Sequence, residues 1–327
     1  MTSATSSHHN QHHGRGVALC LLSAVGFGLM AIFAKEAYRS DVSVTTLLAL
    51  RFTLAACAFW VIVAARRARA PTSSRAPTRR IVLVGLALGG VGYAAQSGAF
   101  FGALTHIDAS LAALLLYTYP AVVFGIAIAL GRERADRPRV IALGLATAGA
   151  ALVLAGGGAG ALDALGVTLA LAAAALYSVY IIVSDRVVAH IDPFLLGALI
   201  TTGAAVTLSI VGLASGSLRL GFEPAGWAWI AALGLGSTVL AISAFMAGLN
   251  LVGPATAAIV STIEPVVTVV LAMAFFDERL GPIQVVGGVL VLTAVILLAA
   301  NVRRSVPSIE PTAAAAAGAI ASEPARG

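Results

Sequence analysis

The stretch EPVVTVVLAMAFFDER, residues 264–279, repeats YPAVVFGIAIALGRER, residues 119–134, at an offset of 145. Pro265 falls on Pro120, Glu278 on Glu133 and Arg279 on Arg134. The correspondence runs without a gap from Ala99 to Leu154, with 14 identities in 56 positions. In a chain this rich in Ala and Leu, the shared proline and Glu-Arg carry the argument. Nearer the start the offset becomes 150, so that Gly16 meets Gly166 and Phe27 meets Tyr177. The difference of five residues fits the longer Arg-rich segment after residue 64. One position breaks the match in an informative way: Tyr119 stands where the second copy has a carboxylate, Glu264, in the middle of an apolar run from Ala255 to Phe276.

Outward from this pair, the whole chain is apolar. Of its 327 residues, 59% are hydrophobic and 10% charged, against about 25% charged in soluble domains. Ten apolar stretches follow one another, at about 16–35, 43–64, 80–103, 109–131, 138–156, 163–184, 193–214, 226–249, 255–276 and 282–301. Most reach the roughly 20 residues that a helix needs to cross a bilayer. Helices are expected because each satisfies its own backbone hydrogen bonds in lipid. A transmembrane barrel would alternate in segments of about ten residues, and these runs do not alternate. The expected fold is all-α and integral to the membrane. Its ten transmembrane helices form two five-helix repeats, 16–156 and 163–301. An odd number of crossings turns the second copy over, which gives an inverted repeat. The flanks, 1–15 and 305–327, are expected to be disordered tails. HHNQHH in the first could bind a metal loosely, but reads as part of the tail. Cys20 and Cys57, each inside an apolar run, read as small core residues.

The net charge of +6 does not point to nucleic acid, because the basic residues sit in short clusters between apolar runs. With the N-terminus cytoplasmic, 14 Arg fall in inside segments and four basic residues (Lys35, Arg39, Arg219 and Arg279) in outside ones. That bias places both termini in the cytoplasm of a bacterial inner (plasma) membrane. The first stretch is too long for a signal peptide, lacks a cleavage site and is followed by nine more spans, so it reads as a retained helix.

These residues resemble a known family. LLALRFTLAA (47–56), ASLAALLLYTYPAVVFGIAIALGRER (109–134) and ATAAIVSTIEPVVTVVLAMAFFDERLGPIQVVGGVLVLTAVIL (255–297) are similar to the EamA-like permeases of the drug/metabolite transporter superfamily, over about residues 16–301. The doubled motif of Pro, a dozen apolar residues and Glu-Arg carries the likeness. The resemblance implies a ten-helix exporter or importer of amino acids and other small metabolites. It also implies a central cavity among the first, third, fourth, sixth, eighth and ninth helices, with the fifth and tenth at the edge.

Glu264 is the leading candidate site residue. A charged carboxylate at mid-membrane costs about 2.5–3.5 kcal/mol on the insertion scale, so it is expected to face a polar interior. There it would serve proton coupling or a substrate amine. The competing reading is a packing carboxyl bonded to a neighbouring hydroxyl or to backbone freed by Pro265. Tyr119 is its counterpart on the other wall. Tyr93 and Gln96 lie one helical turn apart, as do Tyr177 and Tyr180, and all four are candidate substrate contacts. Arg51 is expected to be a structural anchor that snorkels to the outer interface. Lys35 and Glu36, matched by Asp185 and Arg186, read as an interfacial charge pair. Glu133 and Glu278 read as carboxylates at the N-termini of the helices that begin near Pro138 and Pro282. Gly85 and Gly89 allow close helix packing, within one chain or in a dimer.

The expected function is a secondary, alternating-access transporter of amino acids or similar small metabolites. An exporter is expected, with proton coupling through Glu264. A flippase of a lipid-linked group is the alternative, and a membrane-embedded enzyme the weaker one. HExxH and GxSxG are absent, and outside the tail only His106 and His190 occur, both near helix ends. The absence of GxxxxGK[ST] argues against ATP drive. No cofactor or metal is expected, and the expected partners are a small-molecule substrate and the lipid bilayer, as a monomer or homodimer.

Overall fold

The structure is a computed structural model that describes residues 3–69, 77–131, 136–156, 163–188 and 191–305. Among the described residues, ten helices are long and apolar enough to span a bilayer. They are α1 (His13–Arg39), α2 (Val44–Arg69), α3 (Arg79–Ala103), α4 (Ala109–Ala129), α5 (Arg137–Ala155), α6 (Ala164–Ser184), α7 (Pro193–Ala214), α8 (Pro224–Pro254), α9 (Thr256–Phe276) and α10 (Pro282–Ala300). The expected fold is the observed one: an all-α membrane protein of two inverted five-helix repeats. The backbone of α1 is already helical from Ser3, within the stretch expected to be a disordered tail. Once a helix is nucleated in an apolar run, each further residue adds a hydrogen bond without a new nucleus. Of the second expected tail, residues 306–327 lie outside the described residues, as do Glu133, His190 and the side chains of Asp185 and Arg186.

Local chemistry sets the helix ends. Pro138, Pro193 and Pro224 stand in first turns, where a missing N–H costs nothing and the fixed φ suits a helix. Asp192 accepts from the Phe194 and Leu195 amides, and Asp136 accepts from Arg139. Between α8 and α9 the chain turns at Gly253, with φ 78° and ψ 166°, a conformation open to a residue without Cβ.

The repeats interlock rather than sit side by side. α1 packs on α8 and α6 on α3, which are equivalent pairs under the pseudo-two-fold. α2 packs on α7, α4 on α9 and α5 on α10, each helix against its own counterpart. α3 and α8 each contain a wider π-helical turn, at Leu88–Tyr93 and Ala232–Leu240. The offset of 145 carries the first inside the second, so the irregularity is itself repeated. Such bulges recur at functional sites because they re-aim side chains along a helix.

Gly89, in the first π turn, touches the Ile200 backbone of α7, and a Cβ there would collide with the Ile200 carbonyl. Gly203 approaches the Leu86 carbonyl in the same way. The GxxxG pattern of Gly85 and Gly89 therefore serves packing within one chain. Gly89→Ala is expected to cost about 1–3 kcal/mol, the usual penalty of overpacking, and to lower the midpoint of thermal unfolding in detergent. Gly98→Ala, with open space at its Cβ, is the control. Cys20 is buried beside Gly248 of α8, whereas Cys57 is exposed on the outer face of α2 and is not the core residue expected. In a helix wrapped by lipid, an apolar neighbourhood in sequence does not distinguish the core face from the lipid face.

Candidate functional site

α4 and α9 are both broken near their centres, after Leu116 and after Ser261. The break follows from Pro120 and Pro265: each removes one N–H and crowds the carbonyl four residues back. For Pro265 that carbonyl belongs to Ser261, and the Tyr117 hydroxyl donates to it at 3.2 Å. A tyrosine of the first repeat thus satisfies the backbone that a proline of the second repeat opens. The Ser178 hydroxyl of α6 donates to the Ala174 carbonyl of its own helix at 2.7 Å and also lies 3.1 Å from the Tyr119 carbonyl.

Around these breaks lies a cavity of about 840 Å³ between the repeats. All six candidate residues (Tyr93, Gln96, Tyr119, Tyr177, Tyr180 and Glu264) line it. Five of the chain's six tyrosines do so, the fifth being Tyr117. Their rings form a continuous band. Tyr117 meets Tyr119 with centroids 5.9 Å apart, Tyr119 meets Tyr177 at 4.7 Å, Tyr177 stacks on Tyr180 at 6.0 Å, and Tyr180 meets Tyr93 at 5.6 Å. Phe52 of α2 continues the band at 5.5 Å from Tyr93. The Gln96 side chain accepts from the Ser97 hydroxyl at 3.3 Å, and both residues are buried.

Glu264 stands at the Tyr117 end of the band, with Tyr119 and Tyr177 as further neighbours. Among the described residues no Lys, Arg or His forms an ion pair with it. The backbone that Pro265 frees is held by Tyr117 rather than by the carboxyl, while the Glu264 side chain is itself hydrogen-bonded to the Tyr117 hydroxyl, the neighbouring hydroxyl of the competing reading.

The other charge in the deep part of the cavity is Arg51. It does not snorkel to the interface as expected. Its relative exposure is 1%, and it lines the cavity from α2. Two ring faces hold its guanidinium, Phe52 at 4.8 Å and Phe101 at 4.9 Å. Its Nε donates to the Thr238 hydroxyl of the π turn in α8 at 2.9 Å. Thr238 is the counterpart of Tyr93, so the two π turns supply the cavity with a tyrosine on one side and an arginine clamp on the other.

The cavity reaches the ends of the helices on the face that carries the N-terminus. Arg139 at the start of α5, Pro193 and Leu196 at the start of α7, and Leu298 near the end of α10 line its mouth. α2, α5, α7 and α10 therefore touch it, in addition to the six helices that the resemblance implied. The opposite face is closed. There Lys35 pairs with Glu278 at 3.0 Å, and the Tyr38 hydroxyl donates to the Phe101 carbonyl at 2.9 Å. Lys35 does not pair with its sequence neighbour, since Glu36 binds Arg39 at 2.8 Å. Glu278 does not serve the helix that follows it. Its carboxylate accepts from the Ala109 and Ser110 amides at 2.9 and 3.0 Å and from the Ser110 hydroxyl at 2.7 Å, so it caps α4. The expectation of a carboxylate at a helix N-terminus holds for another helix, in the other repeat.

Sequence reasoning missed Tyr117 and misread Arg51. Tyr117 had a signal: it lies two residues before Tyr119, inside the segment that Pro120 breaks. Arg51 had none, because its depth depends on where α8 and α3 place Thr238 and Phe101.

The comparisons fit this architecture. The chain is 26% identical over 288 residues to the uncharacterized transporter YcbK of Bacillus subtilis (strain 168), covering 83% of this chain and 88% of that protein. It is also 26% identical over 286 residues to an uncharacterized transporter of Archaeoglobus fulgidus, covering 86% and 95%. A crystal structure sharing 20% identity superposes with a TM-score of 0.60 over 88% of this chain and 98% of that one, which supports the fold. The EamA-like transporter family matches twice, at residues 14–155 and 164–300, once on each five-helix repeat. A membrane-spanning chain of two inverted repeats around a central cavity, matched over both repeats, belongs to the EamA-like transporter family.

Proposed function

We propose that this membrane transporter exports amino acids or similar small metabolites by alternating access, with Glu264 coupling transport to protons. The observation that carries the reading is the cavity: it lies between inverted repeats, is walled by aromatic rings, and holds one carboxyl with no cationic partner among the described residues. Apolar pockets with a few placed polar groups suit small amphipathic ligands. Two similar halves in opposite orientation can exchange conformations, opening the site to one face and then the other. The open face carries the N-terminus, and the Arg bias assigns that face to the cytoplasm, where an exporter loads. Tyr93, Gln96, Tyr119, Tyr177 and Tyr180 contact the substrate in this reading. The chain works without catalysis, as a monomer or homodimer, in a bacterial plasma membrane with both termini inside.

Counterflow in proteoliposomes tests it. Purified protein, preloaded with one unlabelled compound at a time, is expected to accumulate the labelled form of at least one amino acid well above protein-free vesicles. Uptake of none, with uptake of a lipid-linked compound instead, would overturn the substrate class.

A further inference from the structure

We infer that Arg51 is the anion subsite of this cavity, and that it takes the carboxylate of a substrate whose ammonium group turns toward Glu264. The inference rests on the transport reading and narrows its substrate to zwitterions. The guanidinium is buried and lines the deep part of the cavity. No carboxylate among the described residues pairs with it. Its titratable neighbours are Tyr38 and Tyr93; the Tyr93 hydroxyl is also a hydrogen-bonding neighbour, but neither is an acid that would balance the charge at neutral pH.

The protein uses only part of its donor set. Nε is committed to Thr238. Nη2 meets the Met30 sulfur at 3.6 Å, and a thioether is a weak acceptor. Nη1 is buried with no hydrogen-bond partner. The guanidinium carbon also lies over two rings, Phe52 and Phe101. What remains is the edge formed by Nη1 and Nη2, a flat pair of donors that matches the two oxygens of a carboxylate. A positioning role alone would not call for a guanidinium, because a buried charge without a partner is worse for stability than an apolar residue of similar size. Met30, which also lines the cavity, has a flexible side chain that can move off the edge.

Charge chooses the ligand class. In the deep part of the cavity Arg51 and Glu264 are one cation and one acid, neither with an ion-pair partner among the described residues. Arg139 at the mouth pairs with Asp136, so the deep pair balances a zwitterion. A doubly charged phosphate ester would leave net negative charge, and an amine without a carboxylate would leave Arg51 uncompensated. The tyrosine band between them offers apolar faces for the rest of the molecule.

The test uses the full chain in proteoliposomes, with competition against a labelled amino acid that it carries. The competitors are the same amino acid, its carboxamide, its decarboxylated amine and its N-acetyl form. For the unaltered protein, the carboxamide and the amine are expected to compete at least tenfold more weakly than the amino acid. In Arg51→Gln, the amino acid is expected to weaken at least tenfold while the amine does not, so the discrimination vanishes; Arg51→Lys is expected to keep part of it. A merely structural Arg51 would weaken all competitors alike. Equal competition by acid and amide in the unaltered protein would overturn the inference, as would discrimination that survives Arg51→Gln. If Arg51→Gln does not fold, Arg51→Lys decides: a reduced preference for the amino acid over its carboxamide supports the inference, and an unchanged preference would overturn it. Should the protein carry only amines lacking a carboxylate, Arg51 as anion subsite falls while transport stands.

Discussion

Glu264→Gln is expected to give a folded protein that still exchanges substrate but no longer responds to a pH gradient. The gradient-driven part of uptake should fall at least tenfold, while counterflow without a gradient survives. The amide keeps the shape of the side chain and its place beside Tyr117, so the break in α9 and the Tyr117–Ser261 bond remain. What it loses is a proton that can leave. A carboxyl at membrane depth is costly when charged, and here no cation among the described residues offsets that cost. The group therefore gains by holding a proton or an ammonium ion when the cavity is occupied. Measuring uptake with and without an imposed gradient, beside the unaltered protein, separates coupling from packing. A mutant that follows the gradient as the unaltered protein does would make the carboxyl a packing group and leave the site to the tyrosines and Gln96.

Removing the Glu278 carboxylate is expected to weaken the closed face and the whole molecule. Glu278→Ala leaves Lys35 without its partner and the Ala109 and Ser110 amides uncapped. Breaking a buried pair from one side costs about 3–5 kcal/mol. Lys35 retains some access to water, so a loss of about 2–3 kcal/mol is expected, or roughly 5–10 °C in the thermal midpoint. Because Glu278 ties the segment after α9 to the start of α4 and the end of α1, a cysteine at Ala113, in the deep cavity wall, should become more reactive to an impermeant reagent added from the closed face. Unchanged stability together with unchanged reactivity would show that the closure does not depend on this pair.

The same cluster sets a pH dependence. Burial raises the Glu278 carboxyl. The Ser110 and Ala109 amides, the Ser110 hydroxyl and the Lys35 charge outweigh that and hold it below the usual range. A carboxyl depressed in the folded state stabilises fully above its unfolded value, about 4.3, and loses that contribution as the pH falls through the folded value. The Glu278 contribution should thus be flat above about pH 5 and fade below about pH 4. Neighbouring Asp108 moves the other way, raised by burial and then by the Glu278 charge. Its own contribution therefore opposes that of Glu278 in the acid range.

The ten spans, the repeat and the acid at mid-membrane were legible because each is a local property. A bilayer demands about 20 apolar residues per crossing, a proline breaks the helix it sits in, and a lone Glu in an apolar run needs a polar interior wherever that run packs. Tyr93, Gln96, Tyr177 and Tyr180 were legible by their spacing on one helical face, and the cavity gathers all four. Partners were not legible. Lys35 chose Glu278, 243 residues away, over the adjacent Glu36. Glu278 chose amides 168 and 169 residues away over its own downstream helix. Arg51 found Thr238 across 187 residues. Sequence alone determined how the chain meets the membrane and that its halves are inverted copies, since both follow from hydrophobic length and an odd count of crossings. Only the tertiary structure decided which charges became closures and which were left open to a ligand. That choice depends on where helices from opposite repeats bring their side chains within about 3 Å of one another, and no local pattern encodes that distance.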